Sequence, residues 1–282
     1  MVISNELVVE SLRYRDGRCI TNRIDELEQL DKVSSYCKEL EEKIQYDEDL
    51  LWELEVEPDE QLVNIIYGDA PVKSEDGRRF LQEMISKKWM PREERETDAQ
   101  IDCSLGVHEG AAYNMASYCE KRQSILRSIK DAKQYTEFMR SCFPNSVFAE
   151  GCDEEFLHIK DFGVHKEEIT NCLKVLDQRA VELYEIYRDN LKEAMDCLTR
   201  ELCTCAPDSK HEKDLLFTFC YEEEEKGKRV ARTKEVTCSP HLKLIRDDSN
   251  LRIYFYWKDD EIEAGRKVLI GRVGRHPWSK YK

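Results

Sequence analysis

Residues 240–278 read PHLKLIRDDSNLRIYFYWKDDEIEAGRKVLIGRVGRHPW, and this stretch decides the fold. Positions 241–245 alternate polar and apolar, 252–257 are aromatic and β-branched, and 267–271 form a short apolar run before a Gly-Arg-Val-Gly-Arg-His segment. Strand-forming residues separated by polar turns predict three strands of one antiparallel sheet. Period-2 alternation sends His241 and Lys243 to one face and Leu242 and Leu244 to the other. It likewise groups Arg252, Tyr254 and Tyr256 opposite Ile253, Phe255 and Trp257.

Moving outward, charge changes sign. Residues 226–282 carry 15 Lys and Arg against 7 Asp and Glu, a net +8, whereas residues 1–225 carry 29 against 52, a net −23. A basic terminal module can engage phosphates, an acidic partner or the acidic body of its own chain. An acidic body does not by itself attract nucleic acid.

Upstream of the tail the apolar period changes from two to three and four. Ile24, Leu27, Leu30, Val33, Cys37, Leu40 and Ile44 mark an amphipathic helix, and shorter helices are predicted over 59–67 and 78–89. The charge run 91–100, PREERETDAQ, reads as a solvated linker, and 101–107 as a short strand. Two long helices follow over 112–139 and 165–204, the second with the broadest apolar face in the chain. Residues 215–221, LLFTFCY, read as a strand and the charged stretch after it as a hairpin tip or loop. Residues 7–14 read as one further strand.

These elements predict an α+β protein: a predominantly helical body with a small C-terminal antiparallel sheet of about four strands. The expected division is an acidic helical domain over 1–210, with a soft internal boundary near 91–100, and a basic sheet domain over 211–282. No apolar run approaches the ~20 residues needed to span a bilayer, and residues 1–18 lack a basic segment followed by a long apolar one, so a cytoplasmic location is expected. Twelve cysteines spread over 282 residues then read as reduced, mostly buried thiols.

Cys203, Cys205, His211, Cys220, Cys238 and His241 are zinc-ligand types within 39 residues, yet they lack the two close pairs of a zinc ribbon or finger. No metal and no cofactor is therefore expected. Cys103 beside His108 is too weak a signal for a nucleophile dyad, because such pairs assemble in space rather than in sequence. No G-x-S-x-G, phosphate-binding glycine loop or H-E-x-x-H occurs.

The remaining chemistry is cationic. Lys243, Arg246, Arg252, Arg272 and Arg275 lie on or beside the predicted strands with Tyr254 and His276. Cations neutralise phosphates, tyrosine can stack on a base, and histidine can move a proton. The order HLKL, RIYFYW, KVLIGRVGRH resembles the closing strands of RelE/ParE-like toxin domains over about 45 residues. That resemblance implies a metal-independent endoribonuclease acting on mRNA. Carried over, Lys243 and Arg252 would stabilise the phosphate, Tyr254 or His276 would act as base or acid, and Arg246, Arg272 and Arg275 would hold the RNA. The expected function is a toxin-like or antiviral-defence effector that binds RNA, with RNA or a protein encoded in the same operon as partner and no membrane. The alternative is a non-enzymatic interaction subunit whose acidic helices dock a partner or mimic nucleic acid.

Overall fold

The computed structural model describes residues 2–3, 5–68, 70, 72–92, 111–208, 212–225, 228–244 and 250–275. The chain is α+β and divides into two compact units, residues 1–121 and 122–282. The expected division at 210/211 is not where they meet, because the C-terminal strands share one core with the preceding helices. The linker expected at 91–100 and the strand at 101–107 lie outside the described residues, apart from positions 91 and 92.

In the first unit, β1 (Val2–Ile3) and β2 (Glu6–Leu7) are antiparallel, and β2 leads into a 3-10 turn, Val9–Leu12, where one strand was expected over 7–14. A second 3-10 turn, Ile20–Asn22, precedes α1 (Ile24–Glu39). Then follow β3 (Ile44–Tyr46), α2 (Glu48–Glu53), a small hairpin of β4 (Glu55–Glu57) and β5 (Glu60–Gln61), α3 (Leu62–Tyr67), α4 (Glu75–Lys87) and β6 (Trp89–Pro91). β3 pairs in parallel with β2 and β6, giving the order β1-β2-β3-β6. Leu27, Leu30, Val33 and Cys37 of α1 meet Leu81, Met84 and Ile85 of α4 over Ile44, Tyr46 and Trp89. The polar Ser34 at the centre of this core is satisfied: its Oγ donates to Leu30 O (2.7 Å) and accepts from Trp89 Nε1 (2.9 Å).

The helix α4 starts where sequence chemistry dictates. Ser74 Oγ accepts from the Gly77 N–H at 3.1 Å, satisfying an otherwise orphaned donor of the first turn. Gly77 also faces the turn at Ile20–Asn22. A Cβ there would overlap the Thr21 carbonyl oxygen and come within 2.7 Å of its carbon, so only a hydrogen fits.

After α5 (Met115–Ser128), the second unit continues through α6 (Ala132–Met139), β7 (Ser146–Phe148), α7 (Cys152–Phe156), α8 (Phe162–Tyr187), α9 (Leu191–Glu201) and β8 (Cys205–Pro207). Each long predicted helix is two. Asp131 restarts the first pair by accepting from Gln134 N (2.9 Å), and residues 188–190 interrupt the second. Aspartate and asparagine are the residues that terminate and recap helices, and they sit in both breaks. Among the described residues, no helix is long and apolar enough to cross a membrane.

The remaining strands are β9 (Leu216–Glu225), β10 (Lys228–Thr237), β11 (Pro240–Lys243), β12 (Leu251–Tyr256) and β13 (Val268–Arg275). The expected four-stranded antiparallel sheet is in fact five-stranded and mixed, in the order β7-β13-β12-β11-β8. β7 runs parallel to β13, and the other pairs are antiparallel. β9 belongs to a separate two-stranded ribbon with β10. The charged run expected as a hairpin tip or loop supplies the end of β9 and most of β10, two antiparallel strands of ten residues each. Complementary charge across the pair replaces apolar patterning there, with Arg229 reaching Glu222 and Arg232 reaching Glu223, each at 3.3 Å.

One face of the large sheet packs Leu242, Ile253, Phe255, Val268, Ile270 and Val273 against Leu173, Leu176, Ala180 and Leu183 of α8 and Ala194 and Leu198 of α9. On the other face the ribbon's Phe219 and Val236, with Cys238, cover Tyr254 and Leu269. Gly271 sits where β13 bulges under this cover. A Cβ on it would lie 2.6 Å from the Phe217 ring and 2.9 Å from Cys238 Sγ.

The edge strand β7 is held by a buried acid of α8. Asp177 Oδ1 accepts from Asn145 N (2.8 Å) and Ser146 Oγ (2.9 Å), and Oδ2 accepts from Asn145 Nδ2 (3.3 Å). Burial pushes its pKa up from 3.8 to about 6, against the opposing pull of those hydrogen bonds.

Candidate nucleic-acid interface

The cationic tail residues are placed by strand register. β11 and β12 pair His241 with Tyr254, Leu242 with Ile253, and Lys243 with Arg252; β12 and β13 pair Tyr254 with Arg272. Directly opposed residues share a face, so Lys243, Arg252, Tyr254, Arg272 and His241 lie together on the face away from α8 and α9. Leu242 and Ile253 mark the other side by entering the helix-side core. This is the partition that alternation predicts for β11 and β12.

Arg275 is separated from that group. It pairs with Leu251, whose side chain enters the helix-side core, so Arg272 and Arg275 lie on opposite faces. The odd spacing of three residues between the two arginines, on a stretch of β13 in continuous register with β12, produces this split. Arg246 and His276 lie outside the described residues, as do Cys103 and His108.

Within the cluster each side chain has a distinct state. Tyr254 is fully buried, and its hydroxyl donates to Asp208 Oδ2 at 3.4 Å. Burial, reinforced by the Asp208 charge, raises its pKa, so the phenol keeps its proton. Its ring is covered by the ribbon and is not open for a base to stack on. His241 is also buried, 5.0 Å from the Tyr254 ring centroid to centroid. Desolvation first, with the charges of Arg252 and Lys243 adding to it, pushes its pKa down to about 4. It is therefore neutral at pH 7, and its Nδ1 contact with the Ser239 carbonyl at 3.4 Å places the proton on Nδ1.

Arg252 is half-buried, and desolvation lowers its pKa without discharging it. Its Nη1 donates to the Leu251 carbonyl at 2.8 Å, while its buried Nε has no hydrogen-bond partner. Lys243 is half-exposed directly opposite. Two like charges on opposed positions repel, and among the described residues neither is ion-paired to a carboxylate. The acid in the cluster is Asp208, just past the end of β8, whose backbone N–H donates to the Ser239 carbonyl and hydroxyl, both at 3.2 Å.

Asp208 has no role in the sequence reading, and no local pattern distinguishes it. His241 entered that reading as a metal-ligand type and as a companion of Lys243 on one strand face, without a role in RNA binding. The residues of that set are dispersed: Cys203 and Cys205 enter the helix-side core, Cys238 the ribbon-side core, and Cys220 is exposed and donates to Glu150 Oε1 at 2.8 Å. His211 lies outside the described residues, and among the described residues no three His, Cys, Asp or Glu side chains group to hold a metal ion.

Fold and site together define an α+β protein with one sheet face that carries Lys243, Arg252 and Arg272 beside the neutral His241 and the protonated Tyr254. Compared with protein-family models, curated proteins and solved structures, the chain matches none.

Proposed function

We propose that the chain is a toxin-like or antiviral-defence effector that binds RNA through the sheet face carrying Lys243, Arg252 and Arg272. The observation that carries this reading is the opposed Lys243–Arg252 pair, held on adjacent strands without ion-paired carboxylates. Keeping two cations side by side is unfavourable for the fold alone, whereas a phosphodiester between them converts the repulsion into two charge-assisted hydrogen bonds. In this reading the buried Tyr254 and its partner Asp208 are structural neighbours on the same face, and contact with RNA is made by the cations.

The test is fluorescence anisotropy with labelled single-stranded RNA at several salt concentrations. Replacing Lys243 and Arg252 together by alanine is expected to weaken binding at least about tenfold and to reduce the slope of log K against log salt by about 1.4, the loss of two phosphate contacts. Absence of wild-type binding at low salt, or an unchanged slope in the variant, would sink the reading. Electrophoresis of the same samples separates binder from nuclease: fragments that disappear with Arg252→Ala identify the metal-independent endoribonuclease, and intact RNA identifies a binder.

A second reading, an interaction subunit, is favoured by one feature of the first unit. Residues 44–72 contain no lysine or arginine, and Glu48, Asp49, Glu53, Glu55 and Asp59 are exposed along α2 and the β4–β5 hairpin. A basic protein surface would complement that stretch.

A further inference from the structure

Cys172 lies on α8 and Cys203 between α9 and β8, and their Sγ atoms are 4.0 Å apart inside the helix-side core. Both are free thiols. We infer that Cys172 and Cys203 form a dithiol oxidation site, which a hydroperoxide converts to an intrachain disulfide.

Geometry supplies the argument. A disulfide needs the sulfurs at about 2 Å, and a separation of 4.0 Å leaves about 2 Å to close. The Cys203 side belongs to the more yielding element, since β8 is a three-residue strand at the sheet edge. Short edges open locally at low cost, and such opening admits a small oxidant. Cys203 is also the better nucleophile of the two. The Cys172 thiol hydrogen bond, followed by the Arg252 charge and the Lys243 backbone, favours its thiolate, while burial and the Glu168 charge oppose it, with the balance toward the thiolate. The same hydrogen bond and burial push Cys172 the other way.

The chemistry balances in two steps. Cys203 sulfur attacks the peroxide oxygen, the O–O bond breaks, and a sulfenic acid forms with release of water or the alcohol of the hydroperoxide. Cys172 sulfur then displaces that hydroxyl as water, forming the S–S bond. Two thiols lose two electrons and two protons to one hydroperoxide. The consequence reaches the cationic face, because the Lys243 N–H donates to the carbonyl of Thr204, the residue after Cys203, at 2.8 Å.

The test treats the reduced full-length chain with hydrogen peroxide, blocks remaining thiols with iodoacetamide and digests with trypsin without reductant. Residues 167–174 and 201–210 are the tryptic peptides that carry the two cysteines. The expected result is a linked pair of these peptides, two hydrogens lighter than their sum and released by dithiothreitol. Cys205→Ser should leave the link intact and Cys172→Ser should abolish it. Mapping of the wild-type chain stands alone if a variant does not fold. Alkylated Cys203, or a Cys203–Cys205 bond, in a sample whose exposed Cys220 is oxidised would overturn the inference. The readout is mass, independent of whether the chain binds RNA.

Discussion

Asp177→Ala is expected to destabilise the second unit by about 4 kcal/mol near pH 4 and by only about 1 kcal/mol near pH 8. At every pH the Asn145 N–H and the Ser146 hydroxyl lose their acceptor at the entry to β7. The pH dependence comes from the acid itself. Its folded pKa, about 6, lies above its ordinary 3.8, so the folded chain binds more protons than the unfolded one between those values. Its stabilising contribution is therefore fully present below about 3.8 and is lost as pH rises through about 6. The interval corresponds to roughly 3 kcal/mol, which is the difference between the two ends of the prediction. Urea unfolding of both chains across this range checks it. A destabilisation that stays constant, or grows with pH, would refute the assignment of a protonated, buried Asp177.

Gly77→Ala should destabilise the first unit by about 2 kcal/mol, although alanine is the better helix former. Helix propensity favours the substitution by about 1 kcal/mol. Against it stands the backbone of Thr21, which cannot rotate away as a side chain could, and overpacking of this kind costs about 3 kcal/mol. Gly163, in the first turn of α8, is the matched control: a Cβ there meets nothing within 4 Å, and Gly163→Ala should be neutral or slightly stabilising. Hydrogen exchange over Ile20–Asn22 and α4 would localise the Gly77 effect. Equal stability of the Gly77→Ala chain would show that α4 can lift off the turn without cost.

What could be read from the sequence follows from how each element earns its stability. β12 was legible because Ile253, Phe255 and Trp257 are buried on one side while Arg252 stays half-exposed on the other, the contrast that period-2 patterning encodes. α8 was legible from Ile169, Cys172, Leu173, Leu176, Ala180 and Leu183, all buried at spacings of three and four. β7 and β8 were not, since three residues cannot display a period, and their membership in the sheet rests on hydrogen bonding to strands about 120 and 35 residues away in sequence. β10 was hidden for a different reason: its Arg229 and Arg232 answer glutamates on β9, a relation between two strands that neither strand shows alone. At the candidate interface, alternation identified the face shared by Lys243, Arg252 and Tyr254. It could not reveal that the ribbon seals Tyr254, nor that a bulge at Gly271 shifts the register of β13 on β12.

The place of β13 in the large sheet also dictates an order of assembly. Although it is the last strand among the described residues, it lies between β12 and β7 rather than at an edge. During synthesis, β7 must wait with its hydrogen-bonding edge unfilled until residues 268–270 leave the ribosome, about 120 residues later. At the usual elongation rates of about 5–20 residues per second, that wait lasts on the order of ten seconds. Over the same interval residues 1–121 already contain every strand of their own sheet. Nascent chains stopped between these points would therefore carry a finished first unit and an open second one, which is the window in which a chaperone is most needed.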